Sequence, residues 1–383
     1  MSFKVLICDH VGLAFDALGN PDPSEVRDHI KRKDGVFHFG VANPVVNGKL
    51  NFYYAPDLST REELMSIAGD SQFDAVIAAA TFIPAECLFK NGGVRIGAGT
   101  GNMASASWGG PNGIKGSAPL MNTPGFNAVA TAQMTMRALL HFRPSLPLLE
   151  LHNRVVAGTF DTGKHLRDFP TAKLEEQTIA IFGFGNIGRE VAKLAFAFGM
   201  NVRVYAREKH HARIMAQGFI PFTDAIGAAR DADVISVHTG LGAFDTDAQR
   251  YANQGLVGAD IFRVLRKNAT VLNFDRGECI DAEALETAMS TGHIAHAAID
   301  ADIFSNDGKL SGPMGPYLML AKKLDSRILL LPHAAADTDH PSRVAGAKQG
   351  IDQIYDAILN KRVTNLMGDL PEGYVNAGAK LGV

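Results

Sequence analysis

Short apolar runs alternate along this chain with longer stretches in which apolar positions recur at helical spacing. Lys4–Cys8, Val36–Val41, Asn51–Tyr54 and Asp74–Ala79 are short, rich in β-branched or aromatic residues and bounded by turn signals, so each predicts a strand. Around them Val11–Leu58 is irregular, with turn signals at Asn20-Pro21-Asp22-Pro23, Asn43-Pro44 and Asn47-Gly48. Ser59 predicts a helix start, running through Ala68, with Glu62 three residues on as its capping-box partner. Pro84–Lys90 reads as a short helix, and Ala128–Phe142 as a long one ended by Pro144 and Pro147. Leu148–Lys173 has little period and predicts a segment that wraps over a neighbour. Ala232–His238, Ala269–Asn273, Ile294–Asp300 and Arg327–Leu331 predict buried strands, with helices near Asp260–Leu265 and over Asp281–Gly292 between them. A last amphipathic helix, Ser342–Leu359, is expected to return onto the first unit. Strands alternating with helices specify an α/β chain of doubly wound, mostly parallel sheets covered on both faces.

Thr178–Arg207 adds chemistry to this pattern. The apolar run Thr178–Phe182 is followed by Gly183, Gly185 and Gly188 at G-x-G-x-x-G spacing. A helix then begins, with Ile187, Val191, Leu194, Ala195 and Phe198 on one face and Gly199 as its stop; Val202, Val204 and Tyr205 supply the next strand. Gly183 permits the tight turn, Gly185 a close approach of backbone to pyrophosphate, and Gly188 close helix–strand packing. Asn186 and Ile187 open the helix, whose N–H groups and positive dipole end favour phosphate. The reading is a dinucleotide site. The strand end that carries an Asp or Glu in NAD-binding chains carries Ala206 here, followed by Arg207, with Lys209, His210, His211 and Arg213 nearby. A missing acid and added bases favour NADP, with NAD the alternative.

A length of 383 residues calls for two domains. The net charge of −3 gives no reason to expect nucleic acid or an anionic membrane as partner. The apolar start Val5–Ile7 is too short for a signal peptide, and no run reaches membrane-spanning length. Cys8, Cys87 and Cys279 are scattered and lack metal-ligand spacing, so no metal site is expected and a reducing cytoplasm fits. Val94–Ile96 leads into the glycine-rich turn Gly97–Asn102, whose backbone N–H groups suit an anion. Ala104–Gly116, with the only tryptophan, Trp108, is either a mobile insertion or part of a gate.

In an open parallel sheet, ligands sit at the carboxyl ends of the strands. The polar residues there are His238-Thr239, Arg276, Asp300 and His333. Together with GAGTGN (97–102), NTPGFNAVA (122–130), GFGNIG (183–188), ADVISVH (232–238), NFDRGECIDAEAL (273–285), GHIAHAAID (292–300) and LPHAA (331–335), they resemble the D-isomer-specific 2-hydroxyacid dehydrogenase family. The resemblance implies two Rossmann- or flavodoxin-like domains. A cofactor domain (125–335) is inserted into a split catalytic domain (1–124 and 336–383), usually in a homodimer. It implies hydride transfer between a nicotinamide and a small 2-oxo or 2-hydroxy acid. Arg276 matches the arginine that binds the substrate carboxylate and polarises the carbonyl, a task suited to a guanidinium fork. Ala98 and Gly99 match backbone donors to that carboxylate, and His333 matches the acid/base. Asp300 matches the carboxylate near the nicotinamide carboxamide, while Thr100, His238 and Thr239 fall at cofactor positions.

Four departures stand out: Ser305 in place of the glutamate that partners the histidine, Gly101 for an acid, Gly240 for a proline and Gln133 for a glutamate. Strand alternation puts Asp302 on the face of Asp300, so Asp302 is expected to partner His333, with Asp307 or no anion as alternatives. The competing readings are a nucleotide-binding sensor or scaffold of the same fold, and a relative oxidising formate or phosphite. Retention of both Arg276 and His333 favours an enzyme, since a binder needs no acid/base.

Overall fold

A computed structural model of the chain describes residues 1–379 apart from His10, Leu13, Gly19, Asn20, Pro144, Ser145, Thr246, Asp307, Gly308 and 334–338. The chain forms two compact units, Met1–Asn127 with Ala336–Val383, and Ala128–Ala335.

In the first unit, β1 (Phe3–Cys8), β2 (Val36–Phe39), β3 (Leu50–Ala55), β4 (Ala75–Ala78), β5 (Gly93–Arg95) and β6 (Leu120–Asn122) form a parallel sheet ordered β6-β5-β4-β1-β3-β2. Leu366–Met367 adds antiparallel to β6. Side chains alternate between two apolar layers, as the strand period requires. Val5, Ile7, Phe52 and Ile77 pack with Ala347, Ile351 and Ile354 of the helix His340–Leu359, so that helix does return onto this sheet. Leu6, Cys8, Tyr53 and Val76 pack on the other face with Leu64, Phe89 and Trp108.

Three local expectations change here. The helix runs Arg61–Ala68, and its capping box is Thr60 with Glu63, not Ser59 with Glu62. Leu58 is buried and its carbonyl accepts the Thr81 hydroxyl, which keeps the chain extended as far as Thr60. Pro84–Lys90 is turn rather than helix. Cys87 and Phe89, two apart, enter the same core, while the Cys87 carbonyl and the Phe89 N–H are bonded to Ser105 and Ser107. The segment with Trp108 is anchored: the indole is fully buried, lies 5.9 Å from the Phe89 ring at 14°, and donates to the Met103 carbonyl at 2.8 Å.

In the second unit, β7 (Thr178–Phe182), β8 (Asn201–Tyr205), β9 (Ile220–Phe222), β10 (Val234–Val237), β11 (Ala269–Asn273), β12 (Ile294–Asp300) and β13 (Ile328–Leu331) form an all-parallel sheet. Its order is β9-β8-β7-β10-β11-β12-β13, so the direction of winding reverses between β7 and β10. The carboxyl ends of β7 and β10, at that reversal, are the position in which doubly wound sheets bind ligands. Ala180 and Phe182 face one apolar layer, Ile179 and Ile181 the other. The helix Asn186–Ala197 buries Gly188, Val191, Ala192 and Ala195. Phe198 was expected on that face but lies past the helix end and is 42% exposed. Leu148–Val156 forms a helix with no buried residue. Among the described residues no helix is long and apolar enough to cross a membrane, and no group of His, Cys, Asp and Glu is arranged to hold a metal.

Candidate active site

The turn after β7 has the form that its glycines predict. Gly183 lies at φ +103°, and a Cβ there would overlap the His238 carbonyl. A Cβ on Gly188 would overlap the Gly183 carbonyl, so helix and turn pack as closely as glycine allows. Gly185 faces open space, and the helix beginning at Asn186 has no side-chain cap on its first N–H groups. These are the conditions a pyrophosphate needs, and the residues fit a dinucleotide. Arg189, in the first helical turn, donates to the Gly185 carbonyl at 3.1 Å and to Asn186 Oδ1 at 2.7 Å.

At the end of β8, Ala206 is followed by an exposed Arg207, which opens the turn Glu208–His210. His210 titrates below the usual histidine range, first through burial and then through the charges of Lys209, Arg207, Arg213 and His211. Arg189 is depressed by burial and by Arg213. The bases grouped in the sequence are therefore grouped in space, beside the start of the phosphate-facing helix.

His238, at the end of β10, turns its ring inward. Its Nε2 pairs with Ser236 Oγ at 2.8 Å, and burial pushes its pKa down to about 3. Its carbonyl and the Thr239 N–H, not its ring, border Gly183. A histidine with a folded-state pKa below its unfolded one costs stability as pH falls, because the unfolded chain takes up the proton first. The cost is about 1.4 kcal/mol per pH unit below about 6.5, down to the folded value. Between pH 7 and pH 5 the protein is expected to lose about 2 kcal/mol more than the His238→Phe variant. Urea unfolding of both at the two pH values measures this.

The loop after β11 is a built turn. The Asn273 amide donates to the Arg276 carbonyl at 3.0 Å and Asn273 Oδ1 accepts the Asp275 N–H at 3.2 Å. Asp275 Oδ1 accepts the Arg276 N–H at 2.8 Å, and its Oδ2 accepts the Gly240 N–H at 3.0 Å. The Arg276 guanidinium lies 3.7 Å from Asp302 Oδ2, and His333 Nδ1 lies 3.7 Å from Asp302 Oδ1. Each of the three side chains is about a fifth exposed. The Nδ1 atom is buried and has no hydrogen-bond partner among the described residues. His333 holds φ +56°, a left-handed conformation that few non-glycine residues adopt.

Asp302 lies two residues beyond Asp300, the buried last residue of β12. The Ala301 N–H still bonds the Leu331 carbonyl, so strand alternation persists just far enough to present Asp302 beside His333. Ser305 falls in a separate two-stranded hairpin, Phe304–Asn306 with Lys309–Ser311. Asp307 lies outside the described residues. Cys279 is buried 3.9 Å from Thr239 Oγ1, and its thiol is pushed up to about 12 by burial first and then by Asp275, so it is no nucleophile.

In the first unit the turn after β5 is held from below. Gly97 lies at φ +109° and its N–H donates to Thr123 Oγ1 at 2.9 Å; the Asn122 amide donates to the Ala98 carbonyl at 2.6 Å. Ala98 is exposed and Gly99 half-buried, so their backbone can meet an anion. The Thr100 hydroxyl is committed to the Pro111 carbonyl at 2.8 Å.

Asp275 is the site residue that strand-end reasoning passed over. The signal was present, a carboxylate directly before the predicted arginine, but its partner Gly240 is 35 positions away.

A profile of the D-isomer specific 2-hydroxyacid dehydrogenase, NAD binding domain, matches residues 141–335. A putative 2-hydroxyacid dehydrogenase of Haemophilus influenzae is 30% identical over 196 residues, covering 51% of this chain and 56% of the relative. A glyoxylate reductase of Aeropyrum pernix is 30% identical over 221 residues, covering 57% and 60%. The matches thus span less than two thirds of either relative. The crystal structure of a putative D-isomer specific 2-hydroxyacid dehydrogenase, NAD-binding, from Polaromonas sp. JS6 66 shares the fold, with a TM-score of 0.66 at 18% identity over 98% of this chain and 100% of that one. The profile takes in half of the chain, including the glycine turn, the Arg276 loop and His333, and the chain belongs to the D-isomer specific 2-hydroxyacid dehydrogenase family.

Proposed function

We propose that this protein transfers a hydride between a nicotinamide cofactor, NADPH in preference to NADH, and a small 2-oxo or 2-hydroxy acid. One observation carries the reading: Arg276, Asp302 and His333 converge, each within 3.7 Å of the next, in the unit whose β7 turn fits a dinucleotide. The name of the Aeropyrum relative, glyoxylate reductase, supports a 2-oxo acid as substrate class. When bound, the nicotinamide supplies or accepts the hydride. The chain's own part is to hold the acid and move the proton. Arg276 binds the carboxylate through its fork and draws charge onto the carbonyl oxygen as it becomes an alkoxide. His333 gives that oxygen its proton, and in the reverse direction removes it. Following NADPH absorbance with a panel of 2-oxo acids tests the reading; oxidation is expected with at least one of them, and silence across the panel overturns it.

The preference for NADPH rests on Arg207 and the cations around it. A charge-assisted contact from Arg207 to the 2′-phosphate is worth about one to two powers of ten in affinity. Fluorescence titration is expected to show that advantage for NADPH over NADH in the wild-type protein and most of it lost in Arg207→Ala. Equal affinities in the wild type return Arg207 to the ordinary surface charges.

The same reading takes a homodimer as the working unit. The helix Leu148–Val156 supports it, since Leu148, Leu149, Val155 and Val156 are 71%, 71%, 62% and 74% exposed, an apolar face that one copy leaves uncovered.

A further inference from the structure

Hydride transfer as set out above leaves Asp275, a half-buried carboxylate directly before Arg276, without a task. Both oxygens are engaged by backbone, Oδ1 by the Arg276 N–H and Oδ2 by the Gly240 N–H. Gly240 is itself held from the other side, where its carbonyl accepts the Asn253 amide at 2.9 Å. The turn after β10 and the loop after β11 are thus joined through one carboxylate. A proline at position 240 could not make this bond, having no N–H. Glycine also adopts the φ of +65° found there without strain.

We propose that Asp275 is a positioning residue for this transfer: it ties the turn after β10 to the loop that carries Arg276, and it shares with Asp302 the task of keeping a proton on His333. The proposal rests on the reading of the site as a reductase. The charged and titratable groups that face Asp275 are few. From its own loop come Arg276 and Cys279, and from the loop after β13 comes His333. Cys279 stays a neutral thiol, so the partners that matter are Arg276 and His333. Burial holds the Asp275 carboxyl above the usual carboxylate range, and the two N–H bonds and the charges of Arg276 and His333 offset part of that rise. That attraction is mutual. An anion on Asp275 favours the imidazolium of His333 as surely as the imidazolium favours the anion.

Asp302 lies 3.7 Å from both the Arg276 guanidinium and His333 Nδ1. Two aspartates therefore lie beside Arg276 and His333 while no substrate is bound. A substrate carboxylate on Arg276 adds a third anion and leaves Asp275 and Asp302 to hold the His333 proton until the alkoxide takes it. This division does with two aspartates what a single glutamate would do at the position where this chain has Ser305.

NMR titration of the His333 ring in the full-length protein, assigned with His333→Gln, tests the proposal without any turnover. In Asp275→Asn the midpoint is expected to fall by about one pH unit. The basic limb of the kcat/KM profile for 2-oxo acid reduction is expected to fall with it, and Asp275→Glu to recover part of both. Asp275→Ser, which keeps an acceptor beside the Arg276 N–H, carries the same readouts if the asparagine variant does not fold. An unchanged His333 midpoint in a folded Asp275 variant overturns the proposal. A wild-type protein that reduces no 2-oxo acid, while its His333 midpoint still depends on Asp275, would sink the proposed function and leave the hold on His333 standing.

Discussion

Replacing Arg276 by alanine is expected to lower kcat/KM for the best 2-oxo acid by about two to four orders of magnitude. The range follows from what the guanidinium supplies, two charge-assisted hydrogen bonds to a carboxylate at about 1.5–3 kcal/mol each, with the polarised carbonyl lost at the same stroke. Lysine should restore little, because a point charge cannot take both carboxylate oxygens in one plane. The fold is expected to survive. The backbone of Arg276 is fixed by Asn273 and Asp275, not by its side chain, whose sole ion pair among the described residues is the 3.7 Å approach to Asp302. Steady-state kinetics together with a melting temperature near the wild-type value check both halves. A variant that reduced the acid at close to the wild-type rate would show that the carboxylate binds elsewhere.

Much of the architecture was legible because it depends on spacing along the chain. Buried strands declare themselves as short apolar runs. Each of the three glycines of the turn after β7 has a distinct reason in the pattern, and the structure shows the steric one at Gly183 and Gly188 and open space at Gly185. Asp302 was reachable in the same way, since alternation carries one step beyond β12. What escaped depends on partners far away in sequence or on a choice between equivalent local frames. Ser59-Thr60-Arg61-Glu62-Glu63 contains two overlapping capping boxes, and the hold of Thr81 on Leu58 decides between them. Pro84–Lys90 has helical composition, yet Ser105 and Ser107 take the backbone groups of Cys87 and Phe89 that a helix would need. The bond between Asp275 and Gly240 is of the same kind: each residue is unremarked alone and acquires meaning only when two loops meet.

Removing the ring of His333 is expected to cut the reduction rate by about 10²–10⁴, the range for a positioned general acid. His333→Gln keeps the size of the side chain and loses the proton, so kcat should fall with little change in KM. How the ring is kept charged is the finer question, and Asp302 is the group placed to answer it. Its Oδ1 is too far from Nδ1, at 3.7 Å, for a hydrogen bond, and Nδ1 has no other partner among the described residues. Its Oδ2 is drawn equally toward Arg276. A substrate carboxylate on Arg276 would relieve that second pull, and a movement of about half an ångström would then complete the bond to His333. The charge would arrive when the proton is needed. Reduction requires imidazolium, and a nearby anion raises the pH at which imidazolium is lost. Asp302→Asn is therefore expected to slow reduction at least tenfold and to move the basic limb of its pH–rate profile to lower pH; in the oxidative direction, which needs neutral imidazole, the acidic limb should move the same way. An unchanged profile would remove Asp302 from the proton's path and leave His333 to Asp275, to Asp307 or to itself.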